Sequence, residues 1–275
     1  MFHSTQKDLL TAPSSEYKDV NTSIKIITLN LRHDADRWQG RFKMVLDCLV
    51  HESPDIIALQ EVALTIDQVH QLAARLNQLS QGQTYEVIVA KKWEHPPTEG
   101  IAILTRLKVL NNARLELPVG GRVAQRVTAA VGGCIFDVVN THLHHLPENN
   151  EQVRLRQIDC ILKWITKRGK SGYPTILLGD FNATPDSETI MQVRRYFSSA
   201  YEHVHGDEPT CTFPTPLVTD SGDRYMPMTI DYIFFQPQFC SIEDAYLICT
   251  QPDENDASLY ASDHFGMAAI IRFPR

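Results

Sequence analysis

Six short polar signatures occur along the chain, and each follows an apolar run of the kind that forms a buried β-strand. They are, in order, Leu29-Asn30, Gln60-Glu61, Thr141-His142, Gly179-Asp180-Phe181-Asn182, Ile230-Asp231 and Ser262-Asp263-His264. In open α/β sheets, ligands bind beyond the carboxyl ends of the strands. Because polar groups from distant segments can converge there, the repetition predicts a single active site.

The side chains of these signatures are rich in oxygen donors. They comprise four carboxylates (Glu61, Asp180, Asp231, Asp263), two amides (Asn30, Asn182) and two imidazoles (His142, His264). This set suits Mg²⁺ or Mn²⁺, because zinc favours more His and Cys ligands. Mg²⁺ completes its coordination with waters and substrate phosphate oxygens. The set therefore predicts a Mg²⁺ cofactor, with Mn²⁺ as a substitute, and a phosphate ester as the substrate.

Two strand–helix–strand units position the first four signatures. The apolar run 24–29, a helical face that begins at Trp38, and the run 56–59 form the first unit, and the same pattern recurs over residues 135–180. A right-handed crossover makes the strands of each unit parallel. Asn30 and Glu61 should then face His142 and Asp180 across a cleft. The recurrence predicts an internal duplication.

The other segments complete the expected fold. Thr65 is expected to cap a helix that runs to Leu79, and short β-type runs joined by a Gly132-Gly133 hairpin turn fill residues 85–139. A helix over 187–197 and strands near 229–235, 244–249 and 266–272 are expected to complete the second sheet. Residues 202–228 are predicted to form a long surface loop, either a lid, a substrate-binding element or disorder.

Composition limits the functional classes. With 26 basic and 33 acidic residues, the chain has no global positive field for nucleic acid or anionic lipid, although a local basic groove stays open as an alternative. The six scattered cysteines predict reduced core thiols. Residues 1–22 are expected to be a flexible leader, and 23–275 a single catalytic domain. No signal peptide or membrane span is evident, so we expect a cytoplasmic protein without stable membrane association. No protein partner is predictable.

Together with the flanking runs 54–61, 139–143 and 230–234, the signatures resemble the endonuclease/exonuclease/phosphatase superfamily, typified by pancreatic deoxyribonuclease. The match runs over almost the whole chain. The resemblance implies an α/β fold, a four-layer sandwich in which two packed, mainly antiparallel mixed sheets are flanked by helices, with an internal pseudo-duplication.

The resemblance also implies roles for individual residues. Glu61 would be the principal metal ligand, with Asn30 and Asp263 beside it. The implied catalytic residues are His142, Asp180, Asn182, Asp231 and His264, and the implied phosphate contacts are Arg126, His142 and Asn182. Asp231 would orient His264, and either Asp180 or His264 would activate the attacking water.

The superfamily includes nucleases, inositol polyphosphate phosphatases, sphingomyelinases and poly(A)-shortening exonucleases. The Trp-Cys-Asp-Arg signature of inositol phosphatases is missing, which disfavours that branch. The leading hypothesis is a Mg²⁺-dependent phosphodiesterase that cleaves nucleic acid or nucleotide phosphodiesters by in-line attack of water. Two alternatives stay open: a sphingomyelinase-type or other lipid or small-molecule phosphoesterase, and a catalytically silent binding scaffold of the same fold.

Overall fold

The computed structural model describes residues 22–79, 82, 84–93, 97–145, 150–167, 173–222 and 224–274. The predicted leader therefore lies outside the described residues except for Thr22, where the first strand begins. Among the described residues, no helix is both long and apolar enough to cross a membrane.

Within these ranges the chain forms twelve strands and five helices. The strands are β1 (Thr22–Asn30), β2 (Ile56–Ala63), β3 (Glu86–Lys91), β4 (Glu99–Thr105), β5 (Lys108–Glu116), β6 (Val123–Val131), β7 (Cys134–His142), β8 (Thr175–Asp180), β9 (Ser198–Ser199), β10 (Asp231–Phe235), β11 (Ser241–Ile248) and β12 (Gly266–Phe273). The helices are α1 (Trp38–Glu52), α2 (Gln68–Leu79), α3 (Glu151–Lys167), α4 (Glu188–Arg194) and α5 (Ala200–His205).

The strands form two six-stranded sheets. Their orders are β11-β12-β1-β2-β4-β3 and β5-β6-β7-β8-β10-β9. The β1–β2 and β7–β8 pairs are parallel, as the two strand–helix–strand units predict, and the other pairs are antiparallel. Read in these orders, the two sheets have the same sequence of pair directions, which agrees with the predicted duplication.

Three apolar layers hold the sandwich together. Side chains such as Ile26, Ala58, Val138 and Ile176 pack between the two sheets, where they form the central core. A second core joins the outer face of the first sheet to α1 and α2. A third joins the second sheet to α3 and α4. The predicted four-layer sandwich is thus confirmed, while the assignment of 23–275 to one domain stays a prediction.

One expectation about the sheets is wrong. β11 and β12 do not complete the second sheet, because β12 pairs antiparallel with β1 from Thr22↔Phe273 to Thr28↔Met267 and so extends the first sheet. Only β10 and the short β9 join the second sheet after β8. Apolar periodicity identifies a strand but carries no information about which free sheet edge the strand will occupy.

Some local boundaries also differ from expectation. α2 begins at Gln68, not near Thr65, because residues 64–67 form a turn in which the Gln68 side chain accepts a hydrogen bond from the Ala63 N–H at 2.8 Å. α4 ends at Arg194, and α5 occupies the start of the predicted long loop. The hairpin turn is confirmed: Gly132 and Gly133 link Val131 to its partner Cys134 with φ of 55° and 88°.

Candidate active site

The ends of the two parallel strand pairs meet at one edge of the sandwich. In the first sheet Asn30 lies opposite Gln60, and in the second His142 lies opposite Asp180. The Asn30 side-chain Nδ2 donates to Asp180 Oδ2 at 3.0 Å across the gap between the sheets. This contact between residues 150 positions apart brings the two halves of the predicted constellation together.

Gly179 allows β8 to lie close to β7. Its φ is 133°, in the region that favours glycine, and a Cβ at this position would lie 2.0 Å from the Thr141 carbonyl oxygen. The backbone of β8 can therefore stay against β7 immediately before Asp180 only because residue 179 has no side chain.

A β-bulge aims Glu61 into the site. β2 continues past Glu61 to Ala63, and its pairing with β4 shifts register between Leu59 and Val62. Glu61 has a φ of 50°, and a bulge of this kind redirects a side chain from the face of the sheet. Its two oxygens lie 3.2 Å from His33 Nε2 and 3.9 Å from His142 Nε2. Glu61 thus reaches the cleft from within the strand.

His264 lies between two carboxylates. Its Nδ1 is 2.8 Å from Asp231 Oδ2, and its Nε2 is 4.0 Å from Asp180 Oδ2. All three residues are buried. Burial would lower the pKa of His264, but the charges of Asp231, Asp263 and Asp180 and the bond to Asp231 outweigh it and raise the pKa to about 10. His264 is therefore an imidazolium at neutral pH.

Asp180 differs from an ordinary surface carboxylate. Burial and the charge of Asp231 raise its pKa to about 7, while His264, the Asn182 N–H and Asn30 oppose the rise. The Asn182 backbone N–H donates to Asp180 Oδ1 at 2.8 Å, and the Asn182 side chain donates to the Leu143 carbonyl at 3.3 Å. Asp180 can therefore exchange a proton near neutral pH, and Oδ2 is the oxygen that faces Asn30, His142 and His264.

His142 is a buried neutral imidazole. Burial, together with the charges of Arg122 and Lys92, lowers its pKa well below the usual value. Its Nε2 lies 3.4 Å from Asp180 Oδ2, and neither ring nitrogen has a hydrogen-bond partner among the described residues. A neutral imidazole carries one N–H. His142 can thus donate a hydrogen bond to a ligand oxygen without carrying charge.

The three predicted metal ligands differ in their surroundings. Asp263 Oδ2 lies 2.5 Å from Arg32 Nη1, and its Oδ1 accepts a bond from the Ser262 hydroxyl. The Asn30 Oδ1 accepts the Arg32 N–H at 2.9 Å. Glu61, in contrast, contacts only imidazoles among the described side chains. Burial and the charges of Glu99 and Asp263 raise the pKa of Glu61, and the charges of His33 and His264 oppose the rise.

Other donor atoms also converge on the site. Atoms of Asp180, Asp231 and His264 lie within 4.8 Å of one another. His264 in its protonated form cannot ligate a metal, and its Nδ1 is occupied by Asp231. The oxygen-rich set around Glu61 and Asp180 therefore fits a hard divalent cation better than the set that includes His264.

Arg126 lies apart from these groups. Its guanidinium stacks 4.2 Å from the ring centroid of Trp164, a residue of α3, which covers the outer face of the second sheet. Arg122, just before β6, is instead the arginine whose charge acts on His142. Its Nη1 is buried without a hydrogen-bond partner among the described residues. The role of Arg126 in phosphate binding stays a prediction, and the structure does not bring it to the other site residues.

Arg41 is a buried residue of α1 that sequence reasoning missed. Its guanidinium donates to the carbonyl oxygens of Leu31 at 2.7 Å and Ala261 at 3.3 Å, and to several carbonyls between residues 32 and 36. It therefore joins the loop after Asn30 to the residue before Ser262-Asp263-His264. The helical face that begins at Trp38 spans this position but gives no sign of these contacts.

A second set of missed residues joins the sheets beneath the site. Gln60 Nε2 donates to Asn140 Oδ1 at 2.8 Å, and Asn140 Nδ2 donates to the carbonyls of Leu59 and Ala102, each at 3.1 Å. All of these polar atoms are buried. Both residues lie in or beside the polar signatures at 60–61 and 141–142. The sequence did not show that Gln60 and Asn140 join the two sheets instead of facing the cleft.

The predicted 202–228 loop is tied to the site. The Thr212 hydroxyl accepts the N–H groups of Ile230 and Asp231 at 3.0 and 3.2 Å, which holds the start of β10. The Phe213 ring lies 4.7 Å from the His264 ring and 5.0 Å from the Tyr225 ring. These contacts fix Thr212 and Phe213 against the site, and the role of the loop as a lid or a substrate-binding element stays a prediction.

A cavity of about 260 Å³ opens beside these rings. Its lining includes Arg32, Phe213, Arg224, Tyr225 and Asp263. The cavity combines aromatic faces with guanidinium groups and adjoins the catalytic side chains.

Comparisons with known proteins agree with this geometry. A family model described as "Endonuclease/Exonuclease/phosphatase family" matches residues 27–264. Human Nocturnin is 28% identical over 270 residues, covering 87% of this chain and 59% of the relative, so the chain spans about three fifths of that protein's length. The Drosophila melanogaster protein angel is 26% identical over 213 residues, covering 71% of this chain and 56% of the relative.

Solved structures share the fold. The human Nocturnin catalytic domain with bound sulfate anion superposes with a TM-score of 0.73 at 23% identity, covering 91% of this chain and 94% of that one. Truncated Caenorhabditis elegans TDP2 gives 0.73 at 19% identity, covering 91% and 97%. With the family match over most of its length, the chain belongs to the Endonuclease/Exonuclease/phosphatase family.

Proposed function

We propose that this enzyme is a Mg²⁺-dependent phosphodiesterase that cleaves nucleic acid or nucleotide phosphodiesters. The arrangement that carries the proposal is the protonated His264 held between Asp231 and Asp180 at the meeting point of the two sheets. The arrangement places the positive charge of His264 next to the Asp180 carboxylate, which titrates near neutral pH.

Glu61 is the principal proposed metal ligand, with Asn30 and Asp263 beside it. The acidic neighbours Glu99 and Asp263, which raise the pKa of Glu61, support this assignment, and Arg32 would have to release Asp263 for that carboxylate to take part. When bound, a divalent cation would neutralise charge on the phosphate and on the leaving oxygen. The oxygen-rich donors favour Mg²⁺, with Mn²⁺ as a substitute.

The side chains divide the catalytic work. Asp180 Oδ2 accepts the proton of the attacking water, because its pKa of about 7 leaves it ionised in mildly alkaline solution. His264 keeps its proton to about pH 10 and places positive charge beside the phosphorane-like transition state. His142 donates its N–H to a nonbridging oxygen, and Asn182 orients Asp180 through its backbone. Of the two candidate bases, this assignment selects Asp180.

The cavity beside His264 supports a nucleotide substrate. Aromatic rings stack on nucleobases of any sequence, and a stacked base contributes about 1–3 kcal/mol. Phe213, whose ring lies 4.7 Å from the His264 ring, and its neighbour Tyr225 provide such rings. Arg32 and Arg224 line the same cavity and provide positive charge for the phosphates of the substrate. The human Nocturnin structure holds a sulfate anion, which has the shape of phosphate.

The test uses the purified chain with Mg²⁺, Mn²⁺ or a chelator, against single-stranded DNA, single-stranded RNA, sphingomyelin and bis(p-nitrophenyl) phosphate. We expect cleavage of nucleic acid that requires the metal and falls by at least about 10³-fold in His264→Ala. Activity that survives chelation or this substitution would refute the mechanism. Cleavage of sphingomyelin alone would refute the nucleotide assignment and retain the site.

A further inference from the structure

Two cysteines far apart in sequence lie side by side where α1 packs against the first sheet. Cys48 is in α1, and Cys249 directly follows β11, 201 positions further along the chain. Their sulfur atoms are 2.8 Å apart, and the Cys249 thiol donates to Cys48. Because a disulfide bond is about 2.05 Å long, the two sulfurs need to approach by only about 0.8 Å to bond.

The surroundings of the pair suit thiol chemistry. Both cysteines line a surface cavity of about 550 Å³ together with His51, Glu52 and Thr250, so a small oxidant can reach them. The hydrogen bond from Cys249 lowers the pKa of Cys48, against burial and the charge of Glu52. The same bond and burial raise the pKa of Cys249. Cys48 is therefore the thiol that more readily forms the nucleophilic thiolate.

We propose that Cys48 and Cys249 form a reversible redox modification site that hydrogen peroxide converts into a disulfide. The Cys48 thiolate attacks one peroxide oxygen, the O–O bond breaks, and a sulfenic acid and water form. The Cys249 sulfur then attacks the Cys48 sulfur, the S–O bond breaks, and a second water leaves. Overall two thiols are oxidised to one disulfide while one peroxide is reduced to two waters.

The crosslink would join two segments that lead into the catalytic site. Arg41, seven residues before Cys48 in α1, already contacts Ala261 in the segment that follows Cys249. A disulfide would add a covalent tie between the same helix and the same segment, and would close a loop of about 200 residues. We therefore expect the oxidised protein to resist unfolding more strongly than the reduced one.

The test treats the reduced, folded chain with hydrogen peroxide and maps the non-reduced peptides by mass spectrometry. We expect a Cys48–Cys249 crosslink with the loss of two hydrogens, reversed by dithiothreitol, and a melting temperature at least ~4 °C higher than in the reduced protein. Cys48→Ser and Cys249→Ser should lose both effects. Cys160→Ser removes another partly buried helical thiol and should behave like the unaltered chain.

A second readout identifies the attacking thiol. In Cys249→Ser, dimedone should trap a sulfenic acid on Cys48 at least ten-fold more than on Cys134, Cys160 or Cys211. Crosslinks that appear only in urea, pairs that involve another cysteine, or dimedone labelling that favours another position would each overturn the proposal. This result is independent of the substrate assignment, because no step uses the phosphoester site.

Discussion

Replacing Asp231 with Asn would test the assigned protonation state of His264. The Asp231 carboxylate and the His264 ring are bonded at 2.8 Å and are both buried. Removing one partner of a buried ion pair costs about 3–5 kcal/mol, which corresponds to about 2–3.5 pKa units. In Asp231→Asn, the pKa of His264 should therefore fall from about 10 to roughly 6.5–8.

The lower pKa of His264 should change how kcat/KM depends on pH. In the unaltered enzyme, kcat/KM should rise as Asp180 deprotonates near pH 7 and should decline only when His264 loses its proton near pH 10. In Asp231→Asn the upper limb should move down to about pH 6.5–8, and the rate at pH 9 should fall by about 10–300-fold. The raised pKa of His264 also stabilises the fold below about pH 6.5, and this contribution is lost as the pH rises towards 10.

The assay combines pH profiles of kcat/KM with NMR titration of the histidine ring resonances. Asp137→Asn is the matched control, because Asp137 is also a buried aspartate in the second sheet but bonds Thr128 instead of a catalytic histidine. The control should leave both limbs of the profile in place. A His264 ring that is neutral at pH 7.5 in the unaltered enzyme, or an upper limb unmoved by Asp231→Asn, would refute the reasoning.

Three further substitutions probe the positioning of the site. Gly179→Ala should lower the melting temperature and reduce kcat at least about 100-fold, since the new Cβ would meet the Thr141 carbonyl at 2.0 Å and displace the strand before the catalytic carboxylate. Arg41→Lys should lower the free energy of unfolding in urea by about 2 kcal/mol or more, because most of the carbonyl oxygens that Arg41 contacts would lose a buried donor. Phe213→Ala should raise KM for single-stranded DNA by about 5–150-fold and leave KM for a diester without aromatic groups unchanged, a comparison that steady-state kinetics would make.

The sequence predicted the site because local pattern and chemistry coincide there. Each apolar run followed by polar residues predicts a strand end, and the parallel pairing of two units then brings Asn30 to Asp180. The order of the elements and the handedness of the crossover place these residues at strand ends, and the packing of the two sheets then brings Asn30 Nδ2 to 3.0 Å from Asp180 Oδ2. The sequence predicts Glu61 after the end of a strand, whereas the structure places it at a bulge within β2. A bulge inside a strand leaves no distinct periodicity in the sequence.

The features that the sequence did not predict depend on contacts between distant segments. Arg41 donates a hydrogen bond to the carbonyl of Ala261, 220 positions away, and β12 pairs with the free edge of β1 and not with an edge of the second sheet. Neither contact can be inferred from the spacing of hydrophobic residues. The arginine whose charge acts on His142 was also missed: Arg122 and Arg126 lie four positions apart near one strand, and the sequence does not show that Arg126 stacks on Trp164.

The duplicated architecture explains why the site depends on links between its halves. Asn30 and His142 hold equivalent positions at the ends of β1 and β7, and Gln60 and Asp180 do so on β2 and β8. The two halves nevertheless have different proposed roles. The residue equivalent to Asp180 is an amide, Gln60, which donates a hydrogen bond to Asn140. Since the Glu61 carboxylate belongs to one sheet and Asp180 to the other, their relative position is set by these buried inter-sheet hydrogen bonds and not by either sheet alone.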